Sequence, residues 1–439
     1  MPLITIAGYG LLSAPLAALY FPVYVFLANF YAQNFNLSIA TIGYIFLSVR
    51  FLDAISDPLM GFISDRVSTK FGLRRPWLLV GTPLVMVSVW YLFNPQYDSK
   101  ITAWYFLLWL SLLTIGWTII LTPYFALGAE ISKDYNERSR ITLVREGIAL
   151  SGTVIAALLY SIAASPAAGL KSVTYFVICS LPLTVVICFF STGKIKQHKA
   201  SSNSFFLDVK NFLKALGSEP LFRRLLLAYF INGAANGMPA SLFLFFVNNR
   251  LETPGLGGLL ILIYFVSAIV CIPVWMVLCK KISKHRLWCY AMIYASIIFA
   301  FTIFLGSGNW IAFLAICILS GFALGADLAL PSSMQADLVD LELLRSGSRR
   351  TGAFFSIWSV ATKAAVAISS GMGLIILSWS GFTSVGDNTE LSLFTLSILY
   401  AGVPIVLKLL AVYFIWNFPI DLRQHKKIID SIESKNFPG

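Results

Sequence analysis

Charge is scarce in this chain. Only 12% of its 439 residues are Asp, Glu, Lys or Arg, about half the share of a soluble domain. No polar stretch is long enough to form a large soluble domain. Histidine is scarcer still: His198, His285 and His425 are the three, all in basic loops or the tail, so a metal centre is not expected. The six cysteines, Cys179, Cys188, Cys271, Cys279, Cys289 and Cys317, lie in apolar segments without C-x-x-C spacing; they read as small buried side chains, neither disulfides nor ligands. There is no Walker pattern, and no nucleophile–base pair is identified, so neither ATP use nor enzyme chemistry is expected. The N-terminus lacks a basic region followed by a cleavage site, so the first apolar segment is expected to be retained.

What the chain has is hydrophobic length. It is 58% hydrophobic with mean hydropathy +0.80. Runs such as Leu78–Leu92, Thr102–Phe125, Val173–Phe190, Leu259–Cys279 and Leu391–Trp416 approach the ~20 residues that cross ~30 Å of hydrocarbon. The pattern predicts an all-α membrane protein with twelve spans, at 6–33, 39–64, 77–94, 102–128, 141–164, 172–192, 221–248, 256–279, 286–306, 309–336, 351–377 and 391–416. The net charge of +12 is not a nucleic-acid signal. Lys100, Lys171 and Arg250 are the cations in one set of loops, and Arg50, Arg145, Lys363 and Lys408 fall within spans. The others sit in the opposite loops and tails, the positive-inside asymmetry. It predicts a multi-pass plasma-membrane protein (inner membrane in a bacterium) with both termini in the cytoplasm.

Residues 193–220 interrupt the pattern. They open polar and basic, and then Phe206, Val209, Phe212, Leu213 and Leu216 recur at helical spacing with Lys210 and Lys214 opposite. This suits a short amphipathic helix on the inner membrane surface or a solvated linker helix. The predicted organisation is therefore a six-helix half at 1–192, a cytoplasmic linker at 193–220, a second half at 221–416 and a tail at 417–439. Two six-helix halves around a central path is a common transporter plan.

The densest chemistry lies in the second predicted span. Arg50, Asp53, Asp57 and Gly61 fall within roughly 80° of one another on a helix. Asp57 precedes Asp65 at the inner boundary by eight residues, roughly 12 Å of rise, which places it near mid-membrane. A charge there costs about 2.5–3.5 kcal/mol even on the lenient scale. Two carboxylates one turn apart offer oxygen ligands for Na⁺, or together retain a proton. The bland alternative is a structural ion pair of Arg50 with Asp53, but one arginine balances only one of the two acids.

Other polar residues stand in apolar surroundings. Lys363 has no acid nearby in sequence. Asp327 is a lone mid-span acid open to three roles: solute binding, proton relay, or pairing with Lys363. Asn232 and Asn236 share a helix face, suited to a cavity wall or to packing hydrogen bonds. Lys408 either snorkels or pairs. Arg145 opens the fifth span, and Glu146, adjacent, is expected to face another direction or simply to pair with a neighbour. Asp65, Arg66, Arg74, Arg75, Glu130, Asp134, Glu137, Arg138, Asp337 and Arg350 cluster near the inner boundary. They read as ion pairs of a cytoplasmic gate or as topology-setting loop charge.

These stretches resemble a known family. Gly61, Asp65, Arg66, Gly72, Arg74, Arg75 and Pro76 are similar to the span 2–3 loop of major facilitator transporters, in the form found in glycoside–pentoside–hexuronide:cation symporters. Arg50, Asp53, Asp57 and Pro58 resemble that group's cation helix. Pro123 to Gly128 with Glu130, Asp134, Glu137 and Arg138 resembles its loop after span 4, and Asp337, Asp340, Gly347, Arg350, Phe355 and Lys363 its span 10–11 region. The resemblance covers nearly the whole chain and includes melibiose permeases and animal lysolipid transporters. It implies a major facilitator bundle of two pseudo-symmetric halves, with Asp53 and Asp57 as cation ligands helped by Thr118. It further implies that Arg145 and Ser359 face the cavity and Lys363 the cation site. At the places of the family's sugar-binding acids stand Ala17 and Leu121. Trp117 replaces a tyrosine, and Phe125 a cavity tryptophan.

The function expected is cation-coupled (Na⁺ or H⁺) symport of a small organic solute, with sugar or glycoside as the family's precedent. A lysolipid or other amphiphile, or a non-transporting receptor with a transporter fold, are the alternatives. No cofactor beyond the coupling ion is expected. The partners expected are the solute and membrane lipids, with no nucleic acid, and the chain is read as a monomer.

Overall fold

The computed structural model describes residues 3–67, 69–96, 101–131, 135–192, 220–279, 281–346, 351–421 and 424. The linker helix expected near 206–216, together with Asp134 and Arg350, lies outside them, as do the side chains of Asp65, Glu137, Arg138 and Ser359. Among the described residues, twelve helices are long and apolar enough to cross a membrane. Spans 1–6 are Ile4–Val25, Ile39–Ser64, Arg75–Phe93, Ala103–Gly128, Arg140–Ser161 and Pro166–Ser191; spans 7–12 are Pro220–Arg250, Gly257–Trp275, Lys284–Phe304, Trp310–Gln335, Val360–Trp379 and Glu390–Ile415. Among the described residues there is no β-strand, only an isolated bridge between Thr69 and Gly72. The chain divides into two units, Met1–Ser202 and Asn203–Pro438, each holding six spans.

Local sequence explains where spans begin. The Ser38 side chain accepts the Thr41 amide at 3.1 Å and caps span 2. Ser165 accepts from Ala168 at 3.2 Å, with Pro166 at the first helical position of span 6. Thr389 accepts from Ser392 at 3.3 Å at the start of span 12. Each cap satisfies an amide that has no partner inside its helix. A proline first in the helix loses nothing, because that N–H would be unpaired anyway.

Span 1 departs from the single 6–33 helix expected. It is built as Leu3–Gly10, Ser13–Val25 and Leu27–Asn34. Pro15 has no N–H for the Leu11 carbonyl, which accepts instead from Ala14 at 3.2 Å. The tightened turn breaks the helix there.

In the first unit, span 4 packs against spans 2 and 3, and span 5 against span 1. Span 1 approaches span 5 closely enough that a Cβ on Gly152 would collide with the Ala14 carbonyl. Tyr9 and Tyr124 bind spans 1 and 4 reciprocally: each hydroxyl donates to the other's carbonyl, at 3.1 and 2.9 Å, and the rings stack at 4.5 Å. In the second unit, span 7 packs on spans 11 and 12, and span 10 on spans 8 and 9. Its core gathers Phe222, Trp275, Trp288, Met292, Trp358 and Phe418.

Span 2 shows how one sequence reads in two directions. Phe51, Ile55, Leu59 and Ile63 are 74, 62, 44 and 39% exposed, a stripe at i, i+4, i+8 and i+12 that suits lipid. Asp53, Met60 and Ser64 on other faces are buried. The hydrophobic side faces outward and the charges go inside the unit, the reverse of a soluble helix.

Candidate cation site and buried charges

Arg50, Asp53 and Asp57 come together with Thr118 inside the first unit. Arg50 Nη1 donates to Asp53 Oδ2 at 2.5 Å, and its guanidinium lies 4.7 Å from the centre of the Tyr24 ring. The side chains of Arg50 and Asp53 are 15% and 8% exposed. Thr118, 1% exposed on span 4, donates to Asp57 Oδ1 at 2.9 Å and stands 3.5 Å from Asp53 Oδ1. Three oxygens from two helices thus converge, while the arginine holds the far oxygen of Asp53. Two carboxylates and one guanidinium leave this trio with a formal excess of one negative charge. A monovalent hard cation or a proton suits oxygen ligands of that charge.

Next to it runs a mostly apolar face. Tyr20 of span 1 meets Trp117 of span 4 at 5.1 Å between ring centres. Leu121 follows Trp117 by one turn and Phe125, 38% exposed, by two. Arg145 lies over Phe125 at 4.3 Å and bonds Glu146 at 2.5 Å. Of the two readings of Glu146, pairing with a neighbour is the one found: the long arginine side chain folds back on the adjacent residue. Ala17, where the resembling family has an acid, is half-buried.

In the second unit, Asp327 is not a lone acid. Its Oδ1 accepts from Trp288 Nε1 at 2.7 Å, and its Oδ2 accepts from Lys408 Nζ at 3.0 Å and Asn236 Nδ2 at 3.1 Å. Lys408 also donates to Asn232 Oδ1 at 2.9 Å. Of the two fates open to Lys408, pairing is the one found, with Asp327. Lys363 is half-buried on span 11. The preceding residue, Thr362, donates to the Tyr229 hydroxyl at 3.1 Å.

At the expected gate, Arg74 bonds Glu130 at 2.9 Å and the Ser64 hydroxyl at 2.8 Å, all within the first unit. Asp337 accepts from Lys284 at 2.6 and 2.7 Å, all within the second. Arg66 covers the Phe62 ring at 3.8 Å and Arg75 the Phe189 ring at 5.5 Å. Gly72 sits at φ 108°, closing a two-residue turn against Thr69; only glycine adopts that angle freely. Sequence reasoning missed Ser64, Lys284 and Trp288 as partners. Lys284 sits in a basic run, and a tryptophan in an apolar span gives no hint that its N–H has a buried carboxylate to meet.

Comparison with known proteins agrees with this architecture. The sequence profile of the MFS/sugar transport protein family matches residues 8–422, and the chain belongs to that family. YagG of Escherichia coli strain K12, named as a candidate glycoside/cation symporter, is 28% identical over 91% of this chain and 88% of its own. The human sodium-dependent lysophosphatidylcholine symporter 1 is 26% identical over 88% of this chain and 78% of its own. In three dimensions, a point variant of the nucleoside transporter NupG superposes with TM-score 0.67 over 93% of this chain and 98% of its own, at 12% identity. The chain is thus a multi-pass membrane protein of a transporter family with a major facilitator fold.

Proposed function

We propose that the protein is a cation-coupled secondary symporter that moves a small organic solute by alternating access. Asp53, Asp57 and Thr118 form the coupling site, and Na⁺ or H⁺ is the ion. The observation that carries this reading is the convergence of three oxygens from spans 2 and 4, two of them carboxylate oxygens, with Arg50 holding the far oxygen of Asp53. Two carboxylates held side by side in a membrane span repel one another; a cation between them relieves that repulsion and gives occupancy a lever on conformation. A potential of about 100 mV is worth about 2.3 kcal/mol per charge, so one cation sustains roughly 50-fold accumulation of a neutral solute. The termini are cytoplasmic in this reading, as the charge asymmetry of the loops supports, and the chain works as a monomer.

For the solute, relatives named as glycoside/cation and lysophosphatidylcholine symporters bracket the choice. The row of Trp117, Leu121 and Phe125 ending at Arg145 favours a molecule with an apolar or aromatic part and a polar head over a bare sugar. The test is a thermal-shift screen of purified protein against 4-nitrophenyl glucoside, lysophosphatidylcholine and aromatic acids, with and without Na⁺ and at two pH values. Stabilisation by a solute that grows with Na⁺ or with acid supports symport. Solute stabilisation indifferent to both overturns the coupling.

A further inference from the structure

The cation site uses three of the charges buried within the spans, but not Asp327 and Lys408. Their side chains are 7% and 9% exposed. They lie on spans 10 and 12, and their contacts reach Trp288 on span 9 and Asn232 and Asn236 on span 7. An isolated charge at such a place is expensive. Here each is matched by the other and surrounded by neutral donors and acceptors: Asp327 accepts three hydrogen bonds, and Lys408 donates two. The group is neutral as a whole, unlike the trio around Arg50. A carboxylate so occupied is badly placed to release its ammonium partner for a passing ion.

The backbone of span 12 carries a second observation. Residues Ile398–Gly402 form a π turn, after which the α-helix resumes at Val403. A π turn holds one more residue than an α turn, so everything after it is rotated by about 100° relative to an uninterrupted helix. Lys408 follows six residues later. The turn is locked in place: Tyr400 stacks on Phe246 at 4.5 Å, and Phe246 itself opens a second π turn, Phe246–Arg250, in span 7. Tyr400 also meets Phe299 and Phe313 at 5.9 and 6.1 Å. The inserted residue therefore sets the rotation that aims Lys408 into the unit, and aromatic packing holds that register.

We propose that Asp327 and Lys408 are a charge-neutral clamp fixing the rotation of span 12 against spans 7 and 10, with the π turn of span 12 setting its register, and that neither residue binds the coupling ion. This goes beyond the symport reading and does not depend on it.

The test is a double-mutant cycle on the purified full-length chain, comparing wild type, Asp327→Asn, Lys408→Met and the double variant. The readouts are unfolding temperature, yield of monodisperse protein, and the rise in unfolding temperature caused by Na⁺. Each single variant buries an unmatched charge, so both lose unfolding temperature or yield. The double variant recovers most of that loss, because the charge leaves as a pair, and it keeps the wild-type response to Na⁺. Singles that fail to fold still count, since yield then records the loss and its recovery. A double variant no better than the worse single overturns the clamp, as do singles indistinguishable from wild type. A wild type that responds to Na⁺ beside a well-folded double that does not would make the pair part of the ion site and overturn the proposal. A wild type without any Na⁺ response counts instead against Na⁺ coupling, and the cycle in unfolding temperature still decides the clamp.

Discussion

Thr118 on span 4 donates its hydroxyl to Asp57 on span 2 at 2.9 Å. The bond joins the two helices that supply the oxygens of the candidate cation site, and it makes a neutral residue part of an ionic one. Thr118→Val keeps the shape of the side chain and removes the oxygen. The missing oxygen weakens Na⁺ coordination, so at about 1.5–3 kcal/mol for the lost contact the Na⁺ concentration that half-saturates solute uptake should rise about 10-fold or more; if H⁺ is the ion, losing a donor that favours the ionised Asp57 should instead lower the H⁺ concentration required. Expression should stay normal. Uptake titrated with Na⁺ and with pH in the variant checks this.

Arg50 answers to a different rule. It is 15% exposed and bonds a carboxylate that is 8% exposed, so Arg50→Gln leaves Asp53 buried beside Asp57 without the guanidinium that holds its Oδ2. Breaking a buried pair from one side costs about 3–5 kcal/mol. The variant should be markedly less stable than wild type, and Asp53→Asn added to it should restore part of the loss. Unfolding temperatures of the two variants decide the matter.

Arg74 and Glu130 make a contrast at the membrane boundary. Glu130 is 38% exposed, whereas Arg74 is 12% exposed and also bonds Ser64, which is fully buried. Surface ion pairs are worth about 0–1 kcal/mol. Glu130→Ala should therefore change stability little, and Arg74→Ala should cost clearly more, because it leaves the Ser64 hydroxyl without its donor and opens a gap at the foot of span 2. Thermal unfolding of the two single variants, side by side, tests the order.

Gly152 tests the packing of the first unit. Any Cβ there meets the backbone of Ala14, which cannot move aside as a side chain end would. Overpacking of this kind costs about 1–3 kcal/mol or more. Gly152→Ala should lower the unfolding temperature, while Gly147→Ala, at a position with nothing near its Cβ, should not. Comparing the two unfolding temperatures checks it.

The sequence carried the architecture well because membrane spans announce themselves: length, hydropathy and loop charge are properties of single segments. Within a span, Arg50, Asp53 and Asp57 were legible for the same reason, since one helix places them on one face. Thr118 was reachable only through the family resemblance, because nothing in its own neighbourhood marks that threonine as a partner of the two carboxylates. Asp327 and Lys408 were each visible as oddities, but not as partners. They are 81 residues apart, and the rotation that brings them together depends on a π turn that no periodicity announces. The breaks in span 1 were hidden in the same way, because Pro15 and Pro22 are tolerated in some membrane helices and interrupt others.

In the proposed symport, Asp57 couples a cation gradient to solute movement. The most direct measurement is solute accumulation in proteoliposomes under an imposed inward Na⁺ gradient, and separately an imposed pH gradient, for wild type and Asp57→Cys. The solute is the one that stabilises the protein in the thermal screen. Wild type should take up solute concentratively under one of the two gradients, and a folded Asp57→Cys should not. Accumulation by Asp57→Cys equal to wild type, or uptake by wild type that neither gradient drives, would contradict that coupling.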